Sequence, residues 1–497
     1  LHSDQIPALR RTPSGLYELT EDVSASPLYN EDIGPTSIAQ RSWSTYNLAA
    51  LWVGMSVQVP TYIMAAGLVE GGMSAWQALM TVLLGNMIVL VPMILNAVPG
   101  TKFGIPFPVL VRASFGTLGS NIPALLRAGV AAGWFGIQNW IGGSALNTLM
   151  GAVWSGWPVD GAGKWIAFGV FWLINVWIIV KGMETLRRFE AWAAPVLIAM
   201  GIALLSWAVV EAGGFGPIMS RPSSFESGAD FWRFFVPGLT GVIGFWATLS
   251  LNIPDFSRYA KSQRAQAVGQ ALGLPTTMTL YAFIGVAVAS ATVVIFGEAV
   301  SDPVALISRF DNQLVIIFGM FWMAVATLST NIAANVVSPA NDFQNLWPKR
   351  INFAIGGVIT AVLGVLIMPW RVLEDYGSYI FDWLVAYGGL LGPIAGIMIA
   401  DYYLIRRGRL NVRDLYLRGG EYEYSSGFNL KAIAALALGA GAALVGRFVP
   451  AVDWLYSYSW FVGFAIAFGF YWAVMRGARE LDADPVPVAP VATEKTP

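Results

Sequence analysis

Apolar stretches of roughly 20 residues recur from Tyr46 to Met475, separated by charged loops, and each is long enough to cross the hydrocarbon core of a bilayer as a helix. That pattern sets the solvent. A backbone amide inside lipid finds no water, so a spanning segment must satisfy its N–H and C=O groups internally, as a helix does. Composition agrees: 56% of the 497 residues are hydrophobic and 12% charged, against about 25% charged in soluble domains. The runs place twelve helices at 46–69, 76–98, 121–150, 163–181, 190–211, 233–254, 268–297, 314–340, 353–370, 376–404, 431–449 and 454–475. The expected fold class is therefore an all-α integral membrane protein of twelve transmembrane helices. A polar tail at 1–44, a membrane domain at 45–476 and a second tail at 477–497 complete the expected organisation.

Charge orients the helices. With the N-terminus inside, 23 of the 29 Lys and Arg residues fall in inner segments, and the outer ones keep Lys164, Arg221, Arg233, Arg309, Arg371 and Arg447. Lys and Arg accumulate in cytoplasmic loops, so both termini are expected there. The leader lacks the basic and apolar regions of a signal peptide, and Leu1 is expected to follow a removed or omitted residue. There is no cysteine, and His2 is the only histidine. Thiol chemistry, histidine acid–base catalysis and Cys/His metal sites are thereby excluded, which leaves a membrane-embedded enzyme as a distant alternative. A net charge of -1, with basic residues confined to inter-helix loops, gives no reason to expect a nucleic-acid partner. Neither a filter motif nor a ring of repeated polar residues suggests a channel.

Ionisable groups in a bilayer core are costly and usually functional. Glu70, Asp255, Asp342, Asp401 and Lys181 fall at expected helix ends, and Asp382 is the only carboxylate expected well inside a span. The expected substrate is therefore neutral and recognised by amides and aromatic rings. Two expected helices are interrupted. The first carries Gly54-Met55-Ser56-Val57-Gln58-Val59-Pro60, and the sixth carries Pro237-Gly238 and then Gly241-Val242-Ile243-Gly244-Phe245-Trp246. Proline removes an N–H and clashes with the preceding turn. Breaks five spans apart point to inverted repeats with a ligand site between them, although packing kinks give the same pattern.

In the third helix Trp134 and Gln138 share one face, an indole that can stack on a flat ring and an amide with one acceptor and two donors. Core packing and an interhelical hydrogen bond would use the same residues. The eighth helix holds Ser329-Thr330-Asn331-Ile332-Ala333-Ala334-Asn335, with Asn331 and Asn335 on one face. Its hydroxyls could equally bond back to their own helix.

Several motifs together resemble the nucleobase-cation-symport class 1 family, whose bacterial members include hydantoin and allantoin transporters. They are Leu51-Trp52-Val53-Gly54-Met55 with Gln58, Trp134-Phe135-Gly136-Ile137-Gln138, the eighth-helix run with Ser338-Pro339, Met368-Pro369-Trp370, and Gly392-Pro393-Ile394-Ala395-Gly396-Ile397-Met398 with Asp401-Tyr402. The resemblance runs from Arg41 to Arg409 and implies a LeuT-type fold in a bacterial inner membrane. It implies a 5+5 inverted repeat, 45–211 and 233–404, with two further helices over 431–475. By the same resemblance, Trp134 and Trp246 stack on the substrate, and Gln138, Asn335 and Gln58 bond it. Leu384 is the outer-gate leucine. A sodium site forms from the Gly54, Val57 and Ala326 carbonyls with the Ser329 and Thr330 hydroxyls, and no organic cofactor is implied. Phe245 departs from the glycine of the hydantoin carrier and should reshape the pocket. Ile33-Gly34-Pro35-Thr36 and Val59-Pro60-Thr61-Tyr62 look closer to the allantoin-type members. The expected activity is symport of a small neutral heterocycle such as allantoin, hydantoin or uracil by a monomer, coupled to sodium, with proton coupling as the alternative.

Overall fold

The computed structural model describes residues 9–181, 183–477 and 488–489, with side chains outside 183–194 and 488–489. Its principal helices are α1 (Thr45–Ser56), α2 (Val59–Glu70), α3 (Ala75–Phe103), α4 (Asn121–Val153), α5 (Ala162–Lys181), α6 (Met183–Glu211), α7 (Gly228–Phe245) and α8 (Ala247–Asn252). After them come α9 (Gln263–Phe296), α10 (Gln313–Asn335), α11 (Val337–Leu346), α12 (Phe353–Leu366), α13 (Val385–Ile399), α14 (Leu430–Leu444) and α15 (Ser459–Met475). Local chemistry sets their ends. At α3, for example, Ser74 and Gln77 exchange side-chain and backbone bonds at the start, and Gly104, at φ 71°, closes the end in the left-handed conformation.

The helices pack as two groups. One gathers α1, α2, α3 and α9, with α7 and α8 laid against α3; the other gathers α5, α10 and α12 around α4. Outside both, α13 packs on α7 and α8 and is backed by α14 and α15. Glycine permits the closest approaches. A Cβ at Gly136 of α4 would run into the Gly364 carbonyl of α12, so this pair lets the two backbones touch.

Six helices are long and apolar enough to cross a membrane, or eight spans if each of two sharply bent pairs counts as one, among the described residues. The expected count is twelve. The four that fall short are those at 121–150, 190–211, 233–254 and 353–370, for identifiable reasons. The helix α4 carries Arg127, Gln138, Asn139 and Asn147, all buried, so its polarity faces protein rather than lipid. The sixth expected span is interrupted at Trp246, while α12 is only 14 residues long. The fifth has side chains outside the described residues, leaving Pro195–Glu211 as its apolar part.

One further expectation changes. Asp382 is not in the core: it lies within the first two turns of its helix, 55% exposed, and pairs with Arg447 at 2.8 Å. Instead the interior holds Arg127 and Asp342, 3.0 Å apart and 1% and 0% exposed. The polar leader also folds. Leu9–Arg11 pairs antiparallel with Tyr17–Leu19, and Val488–Ala489 runs parallel beside it. Arg41 donates to the carbonyls of Thr36, Thr101 and Tyr17, and Arg112 to those of Leu28 and Leu415 and to Asn345. Burial pulls both guanidiniums down to about 10, leaving them charged at neutral pH. The first eight residues and most of the tail after Gly477, with the basic side chains of Arg187 and Arg188, lie outside the described residues.

Candidate functional site

Two interruptions meet in the interior. Between α1 and α2 the chain turns by 61°, with Val57 at φ -84°, ψ 84° and Gln58 extended at φ -151°, ψ 154°. Pro60 sits in the first turn of α2, where a missing N–H does least harm. The other break falls at Trp246, a single residue between α7 and α8, and not at Pro237, which stays inside α7. Neighbouring helices let a membrane helix absorb such a proline.

A small, narrow cavity lies where the breaks face α4 and the end of α10. Gln58, Trp134, Phe245, Trp246 and Asn335 line it as the sequence leads one to expect, together with Met55, Arg127 and Thr248, which it does not. The aromatic arrangement differs from a sandwich of two indoles. Phe245 stands edge-on to Trp134 at 4.8 Å between ring centroids and to Trp246 at 4.9 Å, so its ring bridges them. Trp246 is fixed at its far edge, its indole N–H donating to Asn86 at 2.9 Å and its ring meeting Trp52 edge-on at 5.2 Å. Around Trp134, Tyr379 and Tyr387 complete an aromatic wall.

The amides are held by protein partners. Gln58 donates to the Met55 carbonyl at 2.7 Å and accepts from Gln138 at 2.5 Å; the Gln138 oxygen is buried without a partner. Asn335 donates to Asn331, whose own amide donates to the Phe135 carbonyl and to Asn175. Gln58, expected to bond substrate, is thus engaged with Gln138. Leu384 is fully buried over Gly244, away from the cavity lining. A Cβ at Gly244 would strike the Leu384 backbone carbonyl, whereas one at Gly129 meets nothing within 4 Å. We therefore expect Gly244→Ala to lower the melting temperature and uptake. Gly129→Ala should leave the melting temperature unchanged or slightly raised; equal melting temperatures for Gly244→Ala and wild type would refute the close contact.

The proposed ion ligands also show a consistent chemistry. In the break, Val57 N–H bonds Val53, Gln58 N–H bonds Ser56, and the Thr61 and Tyr62 amides bond Gln58. The Gly54 and Val57 carbonyls are left without an amide partner among the described residues. Facing α1, α10 buries the Ser329 hydroxyl with no partner, while Thr330 donates to the Ala326 carbonyl at 3.0 Å and keeps its lone pairs. Orphaned buried oxygens of this kind fit a hard cation, which takes oxygen ligands.

Arg127 was findable in the sequence, since it precedes Trp134 by seven residues and so shares its helix face. Asn86, a lone amide in an apolar run, carried a weaker signal.

Residues 35–463 match the model of a family described as permeases for cytosine and purines, uracil, thiamine and allantoin. The chain is 44% identical to an allantoin permease of Bacillus subtilis (strain 168), covering 90% of this chain and 93% of that one. It is also 44% identical to a purine-uracil permease of Arabidopsis thaliana, over 90% of this chain and 78% of the relative. Among solved structures it matches Mhp1, a nucleobase-cation-symport-1 family transporter closed around bromovinylhydantoin, at a TM-score of 0.76 and 28% identity, covering 91% of this chain and 96% of that one. The fold is thus that of an Mhp1-type, LeuT-fold membrane transporter and not of an enzyme, and the chain belongs to the family of permeases for cytosine and purines, uracil, thiamine and allantoin.

Proposed function

We propose that this permease is a sodium-coupled secondary symporter that imports a neutral cyclic ureide or nucleobase, allantoin first among them, by alternating access. The observation that carries the reading is the cavity at the meeting of two helix breaks, lined by an aromatic wall and two amides. Arg127 does not overturn the neutral substrate, because Asp342 balances its charge at 3.0 Å. Allantoin ranks first through the 44% identical allantoin permease; uracil and hydantoin follow from the names of the plant permease and of the ligand in Mhp1. In alternating access the repeats 45–211 and 233–404 rock about the site, with the helices of 431–475 outside them and the protein acting as a monomer. Trp134 and Phe245 offer the substrate their rings, Gln138 and Asn335 their amides, and Leu384 closes over Gly244 as the outer gate. Sodium would be held by the Gly54, Val57 and Ala326 carbonyls with Ser329 and Thr330. Saturable uptake with counterflow of labelled allantoin, uracil or hydantoin in proteoliposomes tests the reading. Uptake that is linear in concentration, or no uptake of any of the three, would refute it.

Both termini are assigned to the cytoplasm of a bacterial inner membrane, on the asymmetry of the basic loops. With no native cysteine, single cysteines report topology directly. An impermeant thiol reagent on intact cells should label Asp160→Cys and leave Leu410→Cys unlabelled; the reverse pattern would invert the assignment.

One observation favours a second reading, coupling to protons. The interior does contain carboxylates, Asp342 at 0% and Asp255 at 5% exposure, beside Arg127.

A further inference from the structure

The lipid-facing wall of the protein carries a groove far from the helix breaks. It has a volume of about 1120 Å³ and runs between α6, the end of α9 and the first turns of α10. Pockets for drug-sized molecules span about 300–1,000 Å³, so this one is sized for something longer than a single heterocycle. Its length agrees. The wall formed by α6 extends from Val196 to Glu211, about 22 Å at the helical rise, whereas one leaflet supplies about 15 Å of hydrocarbon. The surface is apolar along that length: Leu204 and Ile307 are buried in its floor, and Phe318 of α10 stands exposed at its edge. In a chain with these spans, such a surface meets acyl chains.

Charge is confined to one end, where Glu211, Arg309 and Asp311 border the mouth. Arg309 lies over the Phe296 ring at 5.4 Å and pairs with Glu298 at 2.9 Å, both partners being exposed. An exposed pair of this kind is weak and a guanidinium has five donors, so a phosphate can share Arg309 with Glu298 or replace it. Glu211 and Asp311 have no ion-pair partner among the described residues. The mouth therefore offers a guanidinium beside two free carboxylates, which complements a phosphate with a primary amine next to it and repels an anionic headgroup.

We propose that this groove is a binding site for an aminophospholipid of the ethanolamine type, with an acyl chain along α6, the phosphate on Arg309 and the ammonium on Glu211 and Asp311. A second copy of the chain fits less well, because its apolar face would bury those two carboxylates unpaired. The site also touches the moving part of the fold. Met200, Leu204 and Ile307 line a small neighbouring void that reaches Val59 and Tyr62, at the start of α2 just beyond the first break. The Tyr62 hydroxyl is buried there without a partner. A chain seated in the groove thus backs α2 where it leaves the break.

The test titrates the permease, purified in detergent, with dioleoylphosphatidylethanolamine, dioleoylphosphatidylcholine and dioleoylphosphatidylglycerol, reading the melting temperature, which rises when a ligand binds only the folded protein. The three lipids share their chains; their heads offer an ammonium with N–H donors, a methylated cation and no cation. Half-maximal stabilisation should need about fivefold less of the ethanolamine lipid than of either other lipid, since charge-assisted hydrogen bonds are the strong ones. Glu211→Gln with Asp311→Asn, both at exposed positions, should bring the ethanolamine and choline lipids to within about twofold of each other, while Arg309→Gln should weaken the ethanolamine lipid about threefold. Equal half-maximal concentrations of the three lipids for the wild type would overturn the proposal, as would an ethanolamine preference that persists in the folded Glu211→Gln/Asp311→Asn protein. Efficient disulfide cross-linking of two copies through Phe318→Cys in native membranes would also overturn it and give the face to a second copy.

Discussion

Phe245→Ala is expected to lower the melting temperature of the permease and to shift its preference from small rings toward hydantoins with a bulky 5-substituent. Two magnitudes decide the first half. Phe245 is 2% exposed, and truncating a buried phenylalanine to alanine costs about 3–5 kcal/mol where the site cannot collapse. Its neighbours Trp134 and Trp246 are held from behind, by Tyr379 and Tyr387 and by Asn86 and Trp52, so they cannot close the gap. The second half follows from the same rigidity. A small ring loses an edge-on aromatic contact of about 0.5–1.5 kcal/mol, which weakens its binding by about twofold to twelvefold. A bulky substituent gains the vacated space between the indoles. We expect the affinity ratio of 5-benzylhydantoin to hydantoin to rise at least tenfold, measured by competition against labelled substrate. A folded Phe245→Ala protein with an unchanged ratio would show that the ring does not border the ligand.

How much of this was legible beforehand follows from the range of each interaction along the chain. The pair Trp134 and Gln138 is one helical turn apart, and its common face could be read directly. So could the first break, where Pro60 and Gly54 stand close together. What lay outside reach joins residues far apart in sequence: the bond from Trp246 to Asn86 crosses 160 residues, that from Arg127 to Asp342 crosses 215, and that from Gln138 to Gln58 crosses 80. Periodicity carries no record of such partners. Asp382 was misplaced for a related reason, since an apolar run marks a helix but not how far its first turns stand out of the protein. Pro237 stays inside α7, because a proline breaks a membrane helix only where no neighbour satisfies the freed backbone. Phe245 was recognised as a departure, yet only the three-dimensional arrangement shows it bridging the two indoles.

Replacing sodium by choline at fixed pH is expected to weaken substrate binding to the wild-type protein by about fivefold to a hundredfold, the range typical of a coupling free energy between two sites. The ligands proposed for the ion are all neutral. Gly54 and Val57 offer carbonyls that the break has released from the helix ladder, Ser329 offers a buried hydroxyl without a partner, and Thr330 and Ala326 offer oxygens already drawn together at 3.0 Å. A site of neutral dipoles binds a cation weakly unless its two halves are held in register, and those halves belong to different helices, α1 and α10. The same two helices contribute Met55 and Asn335 to the cavity wall. Substrate that draws them together therefore assembles the ion site, and ion that draws them together assembles the cavity, a reciprocity that linkage requires. Thr330→Ala removes one oxygen and leaves the Ala326 carbonyl unbonded by a hydroxyl. It should raise the sodium concentration needed for half-maximal binding at least tenfold, with little effect on substrate affinity in choline. Proton coupling makes the contrary forecast: sodium leaves wild-type affinity and uptake unchanged, acid outside drives uptake, and the paired change Arg127→Gln with Asp342→Asn, which keeps the buried site neutral, abolishes that drive. That result would assign the hydroxyls of α10 a structural role and the coupling to the buried carboxylate.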